Sequence, residues 1–403
     1  MVDPAELADR VEDGDLALYE LEGHADADTA TAARRLVVER RTGATLDTVG
    51  DYAFDADRAE TNIENMLGAT QIPVGVAGPL PVSGRAADDD YHLPLATTEG
   101  ALVASVNRGC SAIRAAGGAT ARVTAHGMTR APVFTVADVA AAADVVDWVQ
   151  ANEDQLRAAA ESTTSHGELL AVTPYVVGDN VFLRFSYDTK DAMGMNMATI
   201  ATDAACDVVE AETDATLIAL SGNLCADKKP AAINAVNGRG HTVTADVRIP
   251  RETVRERFDT TPEAIQAVNT RKNLIGSAKA ASLGFNAQAA NIVAAAFLAL
   301  GQDEAHVVEG ANAIVSVDAR EDELYASVSL ASLNVGTIGG GTTLPTQREA
   351  LSMLGLDGGG DPPGSHADAL AEIIAAGALA GELSLLAALA ADVLADAHSQ
   401  LGR

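Results

Sequence analysis

The sequence predicts an α+β fold without a Rossmann fold, in three parts. A small helical N-terminal domain covers residues 1–63. A large domain, 64–130 and 221–403, is built around a long central helix, and a smaller α+β domain is inserted at 131–220. Three observations predict this. Apolar and charged residues recur at helical spacing up to residue 63, for example in AARRLVVERR with Arg34, Arg35, Arg40 and Arg41. From Ile72 the run IPVGVAGPLPVSG alternates Val, Pro and Gly as strands and turns do. Between 131 and 220, strand-like runs (APVFTV, LLAVTPYVVGDNVFLRFSYDT) alternate with Ala-rich helical runs.

The remaining elements follow in order. In LATTEGALVASVNRGCSAIRAAGG, Thr97 or Thr98 suits an N-cap, Leu102, Val106, Cys110 and Ile113 share one face, and Gly117 with Gly118 stop the helix. This predicts a central, mostly buried helix with Glu99 in its first turn. After residue 220 Gly/Ala-rich helices and glycine turns return, and a loop GLDGGGDPPGS precedes a long Ala/Leu helix reaching His398. Within that helix, Ile373 to Ala391 carries a single charge, Glu382. A charge at mid-membrane costs about 2.5–3.5 kcal/mol, so a buried core helix is the expectation.

Charge narrows the function. The 403 residues hold 57 acids against 27 basic residues, a formal net charge of -30, and only five lysines: 190, 228, 229, 272 and 279. That balance is the signature of adaptation to high salt, where the Debye length shrinks to about 3 Å at 1 M and surface acids repel little. It argues against nucleic acid and anionic membrane, which both need a basic face. Cys110, Cys206 and Cys225 are widely spaced, which fits a reduced cytoplasm and offers neither a zinc site nor a disulfide framework. The acidic N-terminus MVDPAELADRVEDGD is no signal peptide.

GxGxxG, GK[ST], HExxH and GxSxG are all absent, so catalysis must use other groups. Polar residues in apolar or glycine-rich frames are the candidates, each with two open readings. Glu99 is a glutamate favoured by a helix dipole or a proton donor raised by burial. Lys228 and Lys229 are a solvated pair or ammonium groups for a developing oxyanion; a chain that avoids lysine weakens the first. Asp303, after the helix that Gly301 ends, is a loop acid or a site carboxylate. His398 is a last-turn histidine or a catalytic one. The run VGTIGGGTTLP is a flexible turn or bare backbone that a phosphorylated ligand approaches.

The ordered segments ENMLGATQIPVGVAGPL, TTEGALVAS, DAMGMNMAT, SGNLCADKKPAAINAVNGRG, GFNAQAANIVAAAFLALGQD, GTIGGGTTLPTQ and AGELSLLAALAADVLADAH resemble the 3-hydroxy-3-methylglutaryl-coenzyme A reductase family. The DKKP motif resembles its biosynthetic, class I type, in a soluble form from a halophilic archaeon-like source. The resemblance implies reduction of hydroxymethylglutaryl-CoA (HMG-CoA) to mevalonate by two NADPH, with no metal. It implies Lys228 as oxyanion stabiliser, Glu99 as proton donor, Asp303 as the carboxylate joining them, and His398 as the group that protonates the leaving thiolate. Arg130, Ser221, Asp227, Lys229, Lys272 and Asn291 would hold substrate. NADPH would bind a ferredoxin-like inserted domain through Asp191, Met193, Gly194 and Asn196, and the turn with Gly339, Gly340 and Thr342. A homodimer or homotetramer with the site at the subunit interface is implied, with ENMLG reaching across. Two departures stand out: Gln288 replaces the family's histidine, and the family's arginine after the catalytic histidine falls on Arg403, the last residue.

Overall fold

Residues 2–391 are described in the computed structural model. The N-terminal periodicity resolves into the helices Pro4–Glu12 and Ala27–Thr42, capped by Asp3 and Asp26, which bury Leu7, Ala8, Leu21, Ala30, Ala33 and Val37 between them. Arg34 is not on the charged face: it is buried, pairs with Glu22, and donates to the carbonyls of Leu18 (2.8 Å) and Met66 (3.4 Å). Arg35 donates to Leu67 O at 3.0 Å, so two guanidiniums tie the ENMLG segment to this helical unit.

The strands are β1 (Val74–Ser83), β2 (Asp88–Ala96), β3 (Ala119–Arg130), β4 (Val133–Thr135), β5 (Glu168–Val177), β6 (Asn180–Asp188), β7 (Thr216–Ala219), β8 (Gly240–Pro250), β9 (Ala313–Ala319) and β10 (Glu323–Leu333). Pairing is antiparallel except between β1 and β3. β3 is shared between two layers. Its first part, Thr120 to Gly127, pairs with β8, which continues into β10 and β9. Its last three residues, Met128 to Arg130, pair with Phe185 to Tyr187 of β6. Beyond that point β6 lies between β5 and β4, and β4 pairs with β7. The helices Val139–Ala151, Glu153–Glu161 and Met195–Glu212 cover this second group, whose core gathers Met128, Phe134, Val145, Leu156, Leu183, Phe185 and Val209.

The larger core surrounds the helix Ser365–Ala390. This helix is long and apolar enough to cross a membrane, yet 83% of its most hydrophobic window is buried inside the protein. Close packing makes that possible. A Cβ added at Gly109, on the helix Leu102–Ala115, would collide with the Ala380 backbone, so the two helices touch main chain to main chain. Its buried acids are satisfied rather than stranded. Glu372 accepts from the amides of Arg85 (3.1 Å), Ala86 (3.0 Å) and Ala87 (2.9 Å), and Glu382 from Ala287 (2.7 Å) and Gln288 (2.6 Å). Burial raises both the cost of these charges and the strength of the bonds that hold them.

One expected element differs. The helix predicted from Thr97 begins at Leu102, because Ala101 takes a left-handed conformation (φ 70°) that interrupts it. Glu99 therefore precedes the helix and is exposed, with its amide bonded to Thr97 Oγ1 at 3.0 Å; the expected first-turn placement is corrected, and of the two open readings of this residue the exposure does not favour burial. Among the described residues the longest helix is Ser365–Ala390, the Ala/Leu run expected to form a buried core helix.

Candidate active site

Lys228 lies in the irregular loop between β7 and the short helix Ala232–Asn237. Asn223, Ala226 and Lys228 all adopt positive φ (64°, 50° and 55°), a conformation that non-glycine residues hold only when their surroundings enforce it. The enforcement is visible. Asn234 Nδ2 donates to Ala226 O at 3.0 Å, and the Lys228 amide donates to Glu309 Oε1 at 3.2 Å. This turns the Lys228 ammonium onto Asp303 Oδ2, 2.8 Å away.

Asp303 reaches that place by helix punctuation. Gly301 ends the helix Ala289–Leu300 in the left-handed region, and Asp303 then caps the next turn through Ala305 N at 3.1 Å. That turn carries His306 and Glu309, both fully buried. Arg239, buried just before β8, bridges Glu309 Oε1 (2.7 Å) and Asp227 Oδ1 (2.8 Å), and His306 Nε2 meets the same Asp227 oxygen at 3.1 Å. Asp227, His306 and Glu309 have a metal-like spacing, with donor atoms within 4.8 Å, but the Arg239 guanidinium already sits between the two carboxylates.

Electrostatics follow the geometry. Burial alone would raise the Asp227 carboxyl; the His306 hydrogen bond and the charges of Arg239, His306 and Lys228 outweigh it and hold the pKa at about 2. Asp303 is likewise lowered: burial opposes, while the Lys228 hydrogen bond and the His306 and Lys228 charges prevail. Lys228 is raised above its ordinary value, chiefly by Asp303. Burial pushes Glu309 up.

Asn291 Nδ2 donates to Glu99 Oε1 at 3.4 Å, forming a second polar pair. Lys229 Nζ donates to Asp227 O at 3.0 Å, and Ser221 Oγ lies 3.9 Å from Cys225 Sγ. Arg130 ends β3 with its guanidinium on Thr199 Oγ1 (2.7 and 3.1 Å), on the helix Met195–Glu212. Lys272 is exposed on the π-helical turn Asn269–Gly276, with its charge acting on Glu382. His398 and Arg403 lie outside the described residues.

The segments holding Asp191 to Asn196 and Gly339 to Thr342 do meet. Ala192 bridges Ile338, and Asp191 O accepts from Thr337 N at 2.7 Å. Asp191 itself is buried. Its carboxylate accepts four amides, Gly360 (3.0 Å), Gly364 (2.7 Å), His366 (3.0 Å) and Ala367 (3.1 Å), at the start of the helix Ser365–Ala390. Its side chain is thus anchored in protein. Met193 packs against the smaller core, Gly194 (φ 87°) starts the helix Met195–Glu212, Asn196 is exposed, and Thr342 Oγ1 donates to Gly339 O at 2.7 Å. Around Gly339 and Gly340 an added Cβ would meet nothing within 4 Å. Gln288 donates to Gly381 O at 2.6 Å, a structural bond between helices.

Sequence reasoning missed Arg239, His306 and Glu309. The available signals were an arginine between two glycines and a histidine three residues after Asp303, in a chain with only eight histidines.

The hydroxymethylglutaryl-coenzyme A reductase family profile matches residues 30–403. A 3-hydroxy-3-methylglutaryl-coenzyme A reductase of Halobacterium salinarum is 72% identical over 402 residues, covering 100% of this chain and 99% of its own. The chain belongs to the hydroxymethylglutaryl-coenzyme A reductase family. The reductase of Haloferax volcanii is 69% identical, with 100% of both chains covered. A solved structure of the class II reductase from Streptococcus pneumoniae, bound to NADPH in open conformations, matches with a TM-score of 0.68 at 19% identity, covering 93% of this chain and 100% of that one. The expected class I type is corrected by that match to class II structures; it had rested on the short DKKP motif, which reports local site chemistry and not the build of the chain. The α+β architecture with a mainly antiparallel sheet agrees with these reductase structures.

Proposed function

We propose that this reductase converts HMG-CoA to mevalonate and free coenzyme A using two NADPH, with Lys228 at the centre of the chemistry. The observation that carries the reading is the 2.8 Å Lys228–Asp303 pair, built on a strained loop in a chain that has nearly eliminated lysine. The nucleotide supplies hydride to the thioester carbonyl and then to the aldehyde. The oxygen that gains negative charge at each step meets the Lys228 ammonium, which Asp303 holds in place and keeps protonated. Glu99, exposed and paired with Asn291, supplies protons to oxygen. His398 protonates the departing thiolate, which stops it from adding back to the aldehyde.

Asp227, Lys229, Ser221, Arg130, Asn291 and Lys272 are read as holding the hydroxymethylglutaryl end. The segment 131–220 is read as the nucleotide domain. Its order β4, two consecutive helices, β5, β6, helix, β7, with the strands ranked β7-β4-β6-β5, supports a ferredoxin-like, non-Rossmann arrangement. The residues fit a phosphorylated ligand. Gly339 and Gly340 leave open space, and the N-terminus of Met195–Glu212, beside Asn196 and Met193, has no side-chain cap, so its amides are available to anionic oxygens. Asp191 would act by fixing this loop to the long helix.

Exposure of Glu99, Ile63 (50%) and Val74 (62%) supports a soluble oligomer in which a second copy covers the site. Light scattering should give a dimer or larger; a monomer active at assay concentration refutes this. The functional test is Lys228→Ala in molar salt, followed by NADPH absorbance. Loss of one oxyanion donor predicts a fall in kcat of about 100- to 1000-fold, and turnover near wild type would sink the reading.

A further inference from the structure

We infer that His306 is a positioning residue for this reductase: the Nε2–H of its buried imidazole, donated to Asp227, holds the Asp227–Lys228 loop in register with Asp303. The inference rests on the reading of Lys228 as the oxyanion-binding ammonium.

His306 sits where it can act on both ends of the Lys228–Asp303 pair. Its ring is fully buried, and Nε2 lies 3.1 Å from Asp227 Oδ1 and 3.9 Å from Asp303 Oδ2. The first carboxylate belongs to the residue before Lys228, and the second is the one that Lys228 grips. Asp227 Oδ1 also receives Arg239 at 2.8 Å. An ion-paired carboxylate can only accept, so the proton between it and Nε2 resides on the imidazole. The direction of the bond is set by its partner.

The same turn controls the lysine backbone. Asp303, His306 and Glu309 rise from one short stretch, and Glu309 Oε1 takes the Lys228 amide at 3.2 Å while pairing with Arg239 at 2.7 Å. Lys228 is held at φ 55°, so its loop needs fixed anchors on both sides. Glu309 anchors the main chain of Lys228, Asp303 its side chain, and His306 the preceding carboxylate. Loss of the imidazole donor leaves Asp227 with Arg239 alone, free to turn toward Lys228 and compete with Asp303 for the ammonium. His306 touches none of the reacting atoms and acts through Asp227.

The test compares His306→Leu, which removes the donor at similar volume, with His306→Gln, whose amide N–H reaches a position like that of Nε2. In molar salt, a folded H306L is expected to lose about tenfold or more in kcat/KM for HMG-CoA while its KM for NADPH stays unchanged, and H306Q to return to within about threefold of wild type. A folded H306L with wild-type kcat/KM, or an H306Q as impaired as H306L, overturns the inference. If H306L does not fold, ¹⁵N NMR of the wild-type imidazole decides: a protonated Nε2 at the assay pH supports the inference, and a bare Nε2 overturns it. Lys228→Ala, assayed alongside, separates the two levels. An active K228A refutes the reading of Lys228, whereas an inactive K228A beside an unimpaired H306L refutes the role of His306 only.

Discussion

At the scale of the residue, Lys228 shows how local strain and long-range charge combine. Its ammonium is paired because its backbone is held at positive φ, and both depend on the turn after Gly301. The pH consequences have a definite sign. Lys228 is raised above 10.5, mainly by Asp303, so its contribution is complete below that value and is lost as pH rises through the folded-state pKa. Asp303 is lowered below 3.8; burial works against this and the Lys228 bond outweighs it, so its contribution is present above 3.8 and lost as pH falls through the folded value. The pair is therefore intact across the whole neutral range. Asp303→Asn removes the charge that raises Lys228, and the alkaline limb of its residual kcat/KM profile should move to lower pH than in the wild type. An alkaline limb at the same pH in both proteins would uncouple the two residues.

At the scale of the element, the helix Ser365–Ala390 organises the molecule from its start and from two glutamates along its length. Asp191 gathers four amides at its start, Glu372 clamps the turn before β2, and Glu382 clamps the turn that opens the helix Ala289–Leu300. Through the last of these, the helix that delivers Asn291 and ends beside Asp303 is seated on Ser365–Ala390. Packing against Leu102–Ala115 requires a residue without a Cβ at Gly109, since the Ala380 backbone occupies that space. Gly109→Val should therefore destabilise by about 1–3 kcal/mol or more through overpacking. The melting temperature measures it, and a G109V that melts with the wild type would mean that the two helices separate freely.

At the scale of the whole molecule, a net charge of -30 sets the working conditions. Paired acids such as Asp227 and Asp303 gain from the fold, but most surface carboxylates only repel, and screening removes that repulsion. Transfer from molar to millimolar salt should lower the melting temperature; equal melting in both would show that the acidic surface carries no such penalty. Much was legible beforehand because it is written locally. Gly301 ends its helix and the apolar run around Glu382 is a core helix, while the scarcity of lysine draws attention to Lys228, which the fold pairs with Asp303. The position of Glu99 was not legible, because a left-handed Ala101 breaks a helix that capping and spacing both support. Nor was the cluster of Arg239, His306 and Glu309, because Glu309 is one of 57 acids and the arginine between two glycines and the histidine after Asp303 do not show that they are buried together. The sequence by itself determined the family, the element types and the identity of the chemical groups, all of which depend on neighbours along the chain. Only the tertiary structure decided which charges are buried, which carboxylate receives the ammonium and what holds it there, because those contacts join segments about 80 residues apart and exist only once desolvation makes pairing obligatory.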